Sequence, residues 1–310
     1  MTKILITGGA GFIGSSLADK FLEKDEYFVV SVDNLLTGDI SKVSTHKNGK
    51  FIKCDVNNYN DIAAILTSYQ FDYVFHYAAV VGVHRTIENP IMVLNDLDGI
   101  RNILNLSKNT GVKRVFFSSS SEVYGEPVEL PQNEETTPLN SRLPYAVVKN
   151  VGESFCRSFQ KEYGLDYTIF RFFNTYGPKQ STDFVISKFL KLALSDQDIT
   201  VYGDGQQTRT FCYVDDNVAC VAKILEEGLL INDVINIGND HNVTVLQLAE
   251  LILRITKSKA KVKFLPPLKE GDMKRRQPDS SKMKNILRKD LITLEDGIKK
   301  MLASPRLFLK

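Results

Sequence analysis

The chain has 310 residues, 43% of them hydrophobic, with 39 Lys and Arg against 37 Asp and Glu. That is enough apolar material to bury a core, which excludes a disordered chain, and a net charge of +2 excludes a global field that would gather nucleic acid or an anionic membrane. Cys54, Cys156, Cys212 and Cys220 lack CxxC spacing and His46, His76 and His241 are not spaced with them as ligands, so neither a disulfide framework nor a metal site is expected.

The opening MTKILITGGAGFIGSS has no charged leader or small-residue cleavage site, and no later run approaches ~20 apolar residues, so a soluble, cytoplasmic protein is expected. Ile4–Thr7, Phe28–Val32, Phe51–Cys54, Tyr73–His76, Arg114–Ser118 and Tyr167–Phe172 read as strands. Their continuous apolar character suits a parallel sheet covered on both faces. Between them Phe12–Lys24, Tyr59–Ser68, Pro90–Thr110 and Pro144–Tyr163 have helical periodicity, with Gly111 and Gly164 placed as C-terminal stops. The alternation predicts an α/β fold, a Rossmann-like doubly wound parallel sheet over residues 1–175. Beyond it, strands Ile199–Tyr202, Val234–Ile237 and Val262–Phe264 mix with helices Asp183–Ser195, Val214–Glu227, Thr244–Thr256 and Leu294–Leu302. Residues 176–310 are therefore expected to form a smaller α/β substrate-binding domain, with some segments returning to the first. The charged run Lys269–Arg276 reads as local ligand chemistry or a solvated loop.

Strand Ile4–Thr7 runs into Gly8-Gly9-Ala10-Gly11-Phe12-Ile13-Gly14 and then a helix. Gly8, Gly11 and Gly14 permit a tight turn and close backbone approach to a pyrophosphate, which the helix N-terminus would hold. Asp33 follows about twenty residues on at the end of the second strand, where a carboxylate accepts hydrogen bonds from an adenosine ribose and repels a 2′-phosphate; this points to NAD rather than NADP. Asp55, after the third strand, is either a cap on the adenine side or a plain turn residue.

Tyr145 and Lys149 stand at i and i+4, on one helix face, where an ammonium favours the phenolate and moves a group with an ordinary pKa of about 10 toward general-base use. Upstream, the fifth strand ends in Ser118-Ser119-Ser120-Ser121-Glu122, which puts hydroxyls at the carboxyl edge where open α/β sheets bind ligands.

With TGGAGFIG at 7–14, HYAA at 76–79, SSSSEVYG at 118–125, YAVVK at 145–149, RFFNTYGP at 171–178 and GDGQQTRTFCYVDD at 203–216, the chain resembles, over nearly its whole length, the extended short-chain dehydrogenase/reductase family of NAD-dependent nucleotide-sugar epimerases, dehydratases and decarboxylases. The resemblance implies a bound NAD that oxidises the sugar, usually at C4, and reduces it again. Ser120 would hydrogen-bond the C4 oxygen, Tyr145 would take its proton, and Lys149 would hold the nicotinamide ribose and lower the tyrosine pKa. Around the cofactor it implies Phe12 and Ile13 beside the glycines, Asn34 and Gly38 beside Asp33, and Val56 beside Asp55. Tyr77, Ala78, Ala79 and Val81 would follow the fourth strand, with Asn95, Ser118 and Phe172 completing the wall. For the substrate it implies Asn174 and Arg209 at the diphosphate, Tyr202 near the base, Arg276 and Asp279 near phosphates or the second ribose, Arg85 near the sugar, and Phe184, Val185 and Val201 around the nucleotide. A UDP-sugar is favoured by the 199–216 segment, and a homodimer through Pro90–Thr110 and Pro144–Tyr163 is implied.

The reaction itself divides. Val80-Val81-Gly82-Val83-His84-Arg85-Thr86 resembles the substrate loop of epimerases and dehydratases, and Ser121-Glu122 lacks the Asp-Glu pair usual in 4,6-dehydratases. Glu122, Arg142 and Arg276-Gln277-Pro278-Asp279 resemble UDP-glucuronate decarboxylases, although Glu122 also reads as a structural acceptor. A 4-epimerase is expected first, a decarboxylase next. The rival classes are an NAD-sensing regulator, which would typically lack Tyr145 and Lys149, and a dehydrogenase that releases NADH.

Overall fold

The computed structural model describes residues 1–266 and 275–308, so the expected charged run lies outside the described residues as far as 274. In chain order come β1 (Thr2–Thr7), α1 (Phe12–Leu22), β2 (Tyr27–Asp33), β3 (Gly49–Lys53), α2 (Tyr59–Tyr69), β4 (Tyr73–His76), α3 (Val83–Glu88), α4 (Pro90–Leu94), α5 (Asp96–Thr110), β5 (Arg114–Ser120), α6 (Pro144–Tyr163) and β6 (Asp166–Phe172). Then follow β7 (Thr175–Tyr176), α7 (Val185–Leu194), β8 (Ile199–Tyr202), β9 (Thr208–Thr210), β10 (Cys212–Tyr213), α8 (Val214–Glu226), β11 (Asp233–Ile237), β12 (Asn242–Thr244), α9 (Val245–Thr256), β13 (Val262–Leu265), α10 (Ser281–Leu287) and α11 (Leu294–Ala303).

Seven strands form one sheet in the order β11-β6-β5-β4-β1-β2-β3, and every neighbouring pair is parallel. Chain order reverses between β1 and β4, which opens a crevice at the carboxyl ends of those strands. This is the doubly wound α/β fold expected from the alternation. Successive β1 residues point to opposite faces: Ile4 and Ile6 enter one core with α1 and α8, while Leu5 enters the other with α2, α5 and α6. On the first face Phe75, Phe116 and Phe170 stack across β4, β5 and β6, with centroids 4.3 and 5.9 Å apart. Such pairs add about 0.5–1.5 kcal/mol each beyond burial, which favours this strand register.

Gly111 and Gly164 cap α5 and α6 in the left-handed region, and Thr244 caps α9 through a reciprocal bond pair with Gln247. The helix expected over Pro90–Thr110 is instead two, meeting at Asn95, where Asp96 turns inward to accept the Val80 N–H at 2.7 Å. Strand β11 lies at the edge of the main sheet beside β6, so the chain beyond residue 175 contributes to the same sheet as β1–β6.

Candidate active site

The glycine turn does what its spacing predicts. Gly8 has φ +69°, and a Cβ on Gly14 would strike the Gly8 carbonyl oxygen. Gly11 starts α1 without a side-chain cap, and no acidic residue occupies the first turn, so the first-turn N–H groups are left to a ligand anion. Asp33 accepts Ala10 N–H at 3.1 Å and Leu35 N–H at 2.8 Å, one on each oxygen, and keeps lone pairs for further donors. A Cβ on Gly38 would come within 2.6 Å of that carboxylate, so glycine there lets the loop close over it. Asp55 holds a local turn through Asn57 N–H and accepts Asn34 Nδ2 at 3.3 Å, which is the turn reading of that residue, and it lines the same cavity as the glycine turn.

These groups open on a cavity of about 610 Å³ along the carboxyl edge of β1, β4 and β5. Gly8, Gly11, Phe12, Ile13, Gly14, Asp33, Asn34, Asp55 and Val56 line one end. Tyr77, Ala78, Ala79, Val81, Asn95, Ser118 and Phe172 continue the wall to Tyr145 and Lys149, while Gly38 stands behind Asp33. A turn that only glycine permits, uncapped N–H groups and a carboxylate at the end of β2 with lone pairs to spare together fit NAD.

The β4 exit is held by Thr7, whose Oγ1 accepts both Tyr77 and Ala78 N–H at 3.1 Å. With its lone pairs used, that hydroxyl donates to His76 Nδ1, 2.9 Å away, which fixes the Nε2–H tautomer. Burial first, then the Lys149 charge, pulls His76 down to about 3, so it stays neutral.

At the reacting end, Ser120 and Glu122 share a short turn in which Glu122 N–H donates to Ser120 Oγ at 3.2 Å. Lys149 Nζ donates to Ser118 Oγ at 3.3 Å and sits 5.7 Å from the Tyr145 ring centroid. The expected lowering of the tyrosine is corrected here. Burial, then the Glu122 carboxylate, raises the Tyr145 phenol above its ordinary value, against a hydrogen bond with Ser120. Lys149, turned to Ser118, is itself brought down to about 8 by burial, partly offset by Asp96. Arg276 Nη1 reaches across to Glu122 Oε1 at 3.5 Å.

Of the residues assigned to the substrate, Ser120, Glu122, Asn174, Phe184, Val185 and Arg276 line the cavity; Arg85, Val201, Tyr202, Arg209 and Asp279 do not. Val201 is core, 1% exposed, because alternation along β8 turns it inward. Arg85 donates to Val81 O and Arg209 to Thr208 O, both at 2.8 Å. Asp279 accepts Asn133 Nδ2 and the Ser281 N–H at the start of α10. Arg142 is exposed and away from the lining, and the His84 side chain lies outside the described residues. Two groups went unread in the sequence: Asp96, a buried carboxylate facing Lys149, and the buried pair Glu153–Arg171. Glu153 had a signal, since it repeats the i, i+4 step from Lys149.

The profile of the NAD dependent epimerase/dehydratase family matches residues 4–238. A UDP-glucuronic acid decarboxylase 1 of Danio rerio is 36% identical over 96% of this chain and 71% of its own. The solved UDP-glucose 4-epimerase of Thermotoga maritima with UDP-glucose has a TM-score of 0.91 at 33% identity, covering 97% of this chain and 98% of that one. The UDP-glucuronic acid 4-epimerase of Bacillus cereus, in complex with UDP-glucuronic acid and NAD, has a TM-score of 0.88 at 30% identity with the same coverage. With the glycine turn, Asp33 and the Tyr145–Lys149 face on one cavity, this chain belongs to the NAD dependent epimerase/dehydratase family and is an NAD-using enzyme.

Proposed function

We propose that the protein interconverts the C4 epimers of a UDP-sugar through a transient 4-keto intermediate. The observation that carries this reading is that Tyr145 and Ser120 line one cavity with the segment Val80–Gly82 and with the glycine turn. Val80, Val81 and Gly82 give this stretch of the lining an apolar character, which suits a keto-sugar that must present its other face. The glycine turn, Asp33 and Lys149 would hold NAD, which when bound would supply the acceptor and donor of a hydride. Ser120 holds the C4 oxygen, Tyr145 as phenolate takes the hydroxyl proton and becomes phenolate again when it gives the proton back, and the Lys149 ammonium is the positive charge on the same helix face that favours the phenolate state.

A second reading, UDP-glucuronate decarboxylation, has equal support from the relatives and rests on the Glu122–Arg276 pair beside Tyr145. A cation there would orient a sugar carboxylate, and Glu122 in its acid form would deliver to C5 the proton that takes the place of the departed CO2. In both readings the enzyme is placed in the cytoplasm, consistent with its buried free cysteines. A homodimer is supported by exposed Ile91 and Leu94 on α4 and Val147 on α6. No helix among the described residues is long and apolar enough to cross a membrane.

The test is to incubate purified protein and NAD with UDP-glucose, UDP-N-acetylglucosamine and UDP-glucuronate and to follow products by proton NMR and mass. A new anomeric signal at unchanged mass supports the epimerase. Loss of CO2 moves the reaction to Glu122 and Arg276, loss of water makes it a dehydratase, and stoichiometric release of NADH ends both readings.

A further inference from the structure

Behind the reacting end of the cavity runs a buried polar chain that none of the catalytic roles above uses. Glu153, fully buried on α6, receives Arg171 Nε at 2.9 Å and Nη2 at 2.8 Å, and Ser119 Oγ at 2.7 Å. Burial alone would raise this carboxyl, but the bond and charge of Arg171 hold it below its ordinary value. Arg171 Nη1 continues to Tyr124 Oη at 2.9 Å, and Tyr124 donates to Asn236 Oδ1 at 2.8 Å. Asn236 Nδ2 donates to the carbonyls of Gln132, 2.9 Å, and Asp279, 3.4 Å. Gln132 in turn clasps the segment after Arg276: its N–H donates to Gln277 O at 2.7 Å, and its carbonyl accepts Asp279 N–H at 2.8 Å.

Strand register makes this one row. Ser119 and Asn236 are the partners of Arg171 on the two neighbouring strands, so the three stand side by side at the carboxyl end of the sheet. One end of the row touches the strand that carries Ser118 and Ser120, and α6, where Glu153 is one turn past Lys149. The other end fixes the backbone beside Arg276, whose guanidinium faces Glu122. A buried ion pair adds little net stability compared with apolar packing, but it accepts only one geometry.

We propose that Glu153, Arg171, Tyr124 and Asn236 are positioning residues: they lock the 277–279 segment in register with β5 and α6 and so hold Arg276 against Glu122 at the sugar end of the cavity. The functional half of this inference rests on the UDP-sugar reading; the mechanical half does not.

Tyr124→Phe is the test, because it keeps the ring and removes only the hydroxyl that joins Arg171 to Asn236. In the NAD-loaded protein, hydrogen exchange read by mass spectrometry should quicken about tenfold at the Gln132 and Asp279 amides and stay unchanged along α5. With UDP-glucose and UDP-glucuronate as probes, KM should rise about fivefold while kcat changes less than twofold and NAD content is unaltered. In an Arg276→Ala background the same substitution should leave KM where Arg276→Ala put it, because the two act through one group. A merely structural Tyr124 would instead multiply its effect with that of Arg276→Ala, and this outcome overturns the proposal. Unchanged exchange at Gln132 and Asp279 overturns it too, whatever the chemistry. Wild-type protein that turns over neither probe ends the reading of these two UDP-sugars as substrates by itself and leaves the exchange result to decide the relay.

Discussion

At the glycine end of the cavity the wall is mostly backbone: a turn with Gly8 at φ +69°, Gly14 packed on the Gly8 carbonyl, and the uncapped start of α1. At the reacting end the wall is side chains brought from separate places in the chain, with Ser120 and Glu122 after β5, Tyr145 and Lys149 on α6, and Arg276 far beyond both. The first end tolerates few sequences because a Cβ on Gly8, Gly9 or Gly14 collides, so a short string of residues announces it. The second depends on where distant segments come to rest, and on charges that lie behind the surface. The first end should therefore fail as a unit when one glycine is changed, whereas the second should come apart function by function.

The largest effect should come from the joint between the two ends. Tyr145→Phe should lower turnover on the UDP-sugar found active by about 10³-fold while NAD remains bound, since a phenyl ring fills the same space but cannot take the proton. Single-turnover kinetics together with the NAD content of the purified variant check both halves of that statement. Near-normal turnover would remove Tyr145 from the proton path.

Lys149 separates function from stability at the reacting end. The unfolded chain holds this proton up to a pH near the ordinary lysine value of 10.5, while the folded protein holds it only up to about 8. Folding therefore releases a proton between those values, and stability should climb as pH rises across that window, by on the order of 3 kcal/mol in total. Lys149→Met should remove this slope and, by sparing a buried ammonium its lost hydration, leave the variant at least as stable as the wild type at pH 7 although inactive. Urea unfolding at pH 7, 8, 9 and 10 measures it; an unchanged slope in the variant would assign the titration to another group.

Gly14→Ala tests the backbone end. The new methyl group meets the Gly8 carbonyl, which leaves only a shift of the turn, and NAD affinity should fall about 100-fold with the rest of the sheet intact. Calorimetric titration with NAD reads the affinity and circular dichroism the fold. Wild-type affinity would mean that the turn can yield without cost.

The same contrast explains what the residues disclosed. Strand β4 and helix α6 have the limits that their patterns predict, because buried parallel strands and capped amphipathic helices are local matters. Every residue named for the cofactor lines the cavity except Gly38, which packs behind Asp33. The break at Asn95 was not legible, for it answers to a bond between Asp96 and the Val80 N–H, in another segment. Nor was the raised Tyr145 phenol: spacing reveals that Lys149 shares its face, but not that Lys149 turns to Ser118 while burial and Glu122 raise the phenol. Arg209 and Asp279 carry the right charges for phosphate and ribose, yet nothing local says that Asp279 is engaged by Asn133 and the first turn of α10.

The smallest effect should appear at Asp33, and it separates charge from shape. Each carboxylate oxygen already accepts one backbone N–H, from Ala10 and from Leu35. Asn in this place must turn its amide nitrogen toward one of them, so Asp33→Asn should weaken NAD binding about tenfold through the lost acceptor. If negative charge is what excludes a 2′-phosphate, NADP binding should not weaken with it, and the ratio of the two affinities should narrow by about the same tenfold. Titrations of both cofactors against both proteins decide this. A ratio that stays fixed while both affinities fall would assign the discrimination to the loop that Gly38 allows to close against residue 33, and would make this last polar contact, like the glycine turn, a matter of shape.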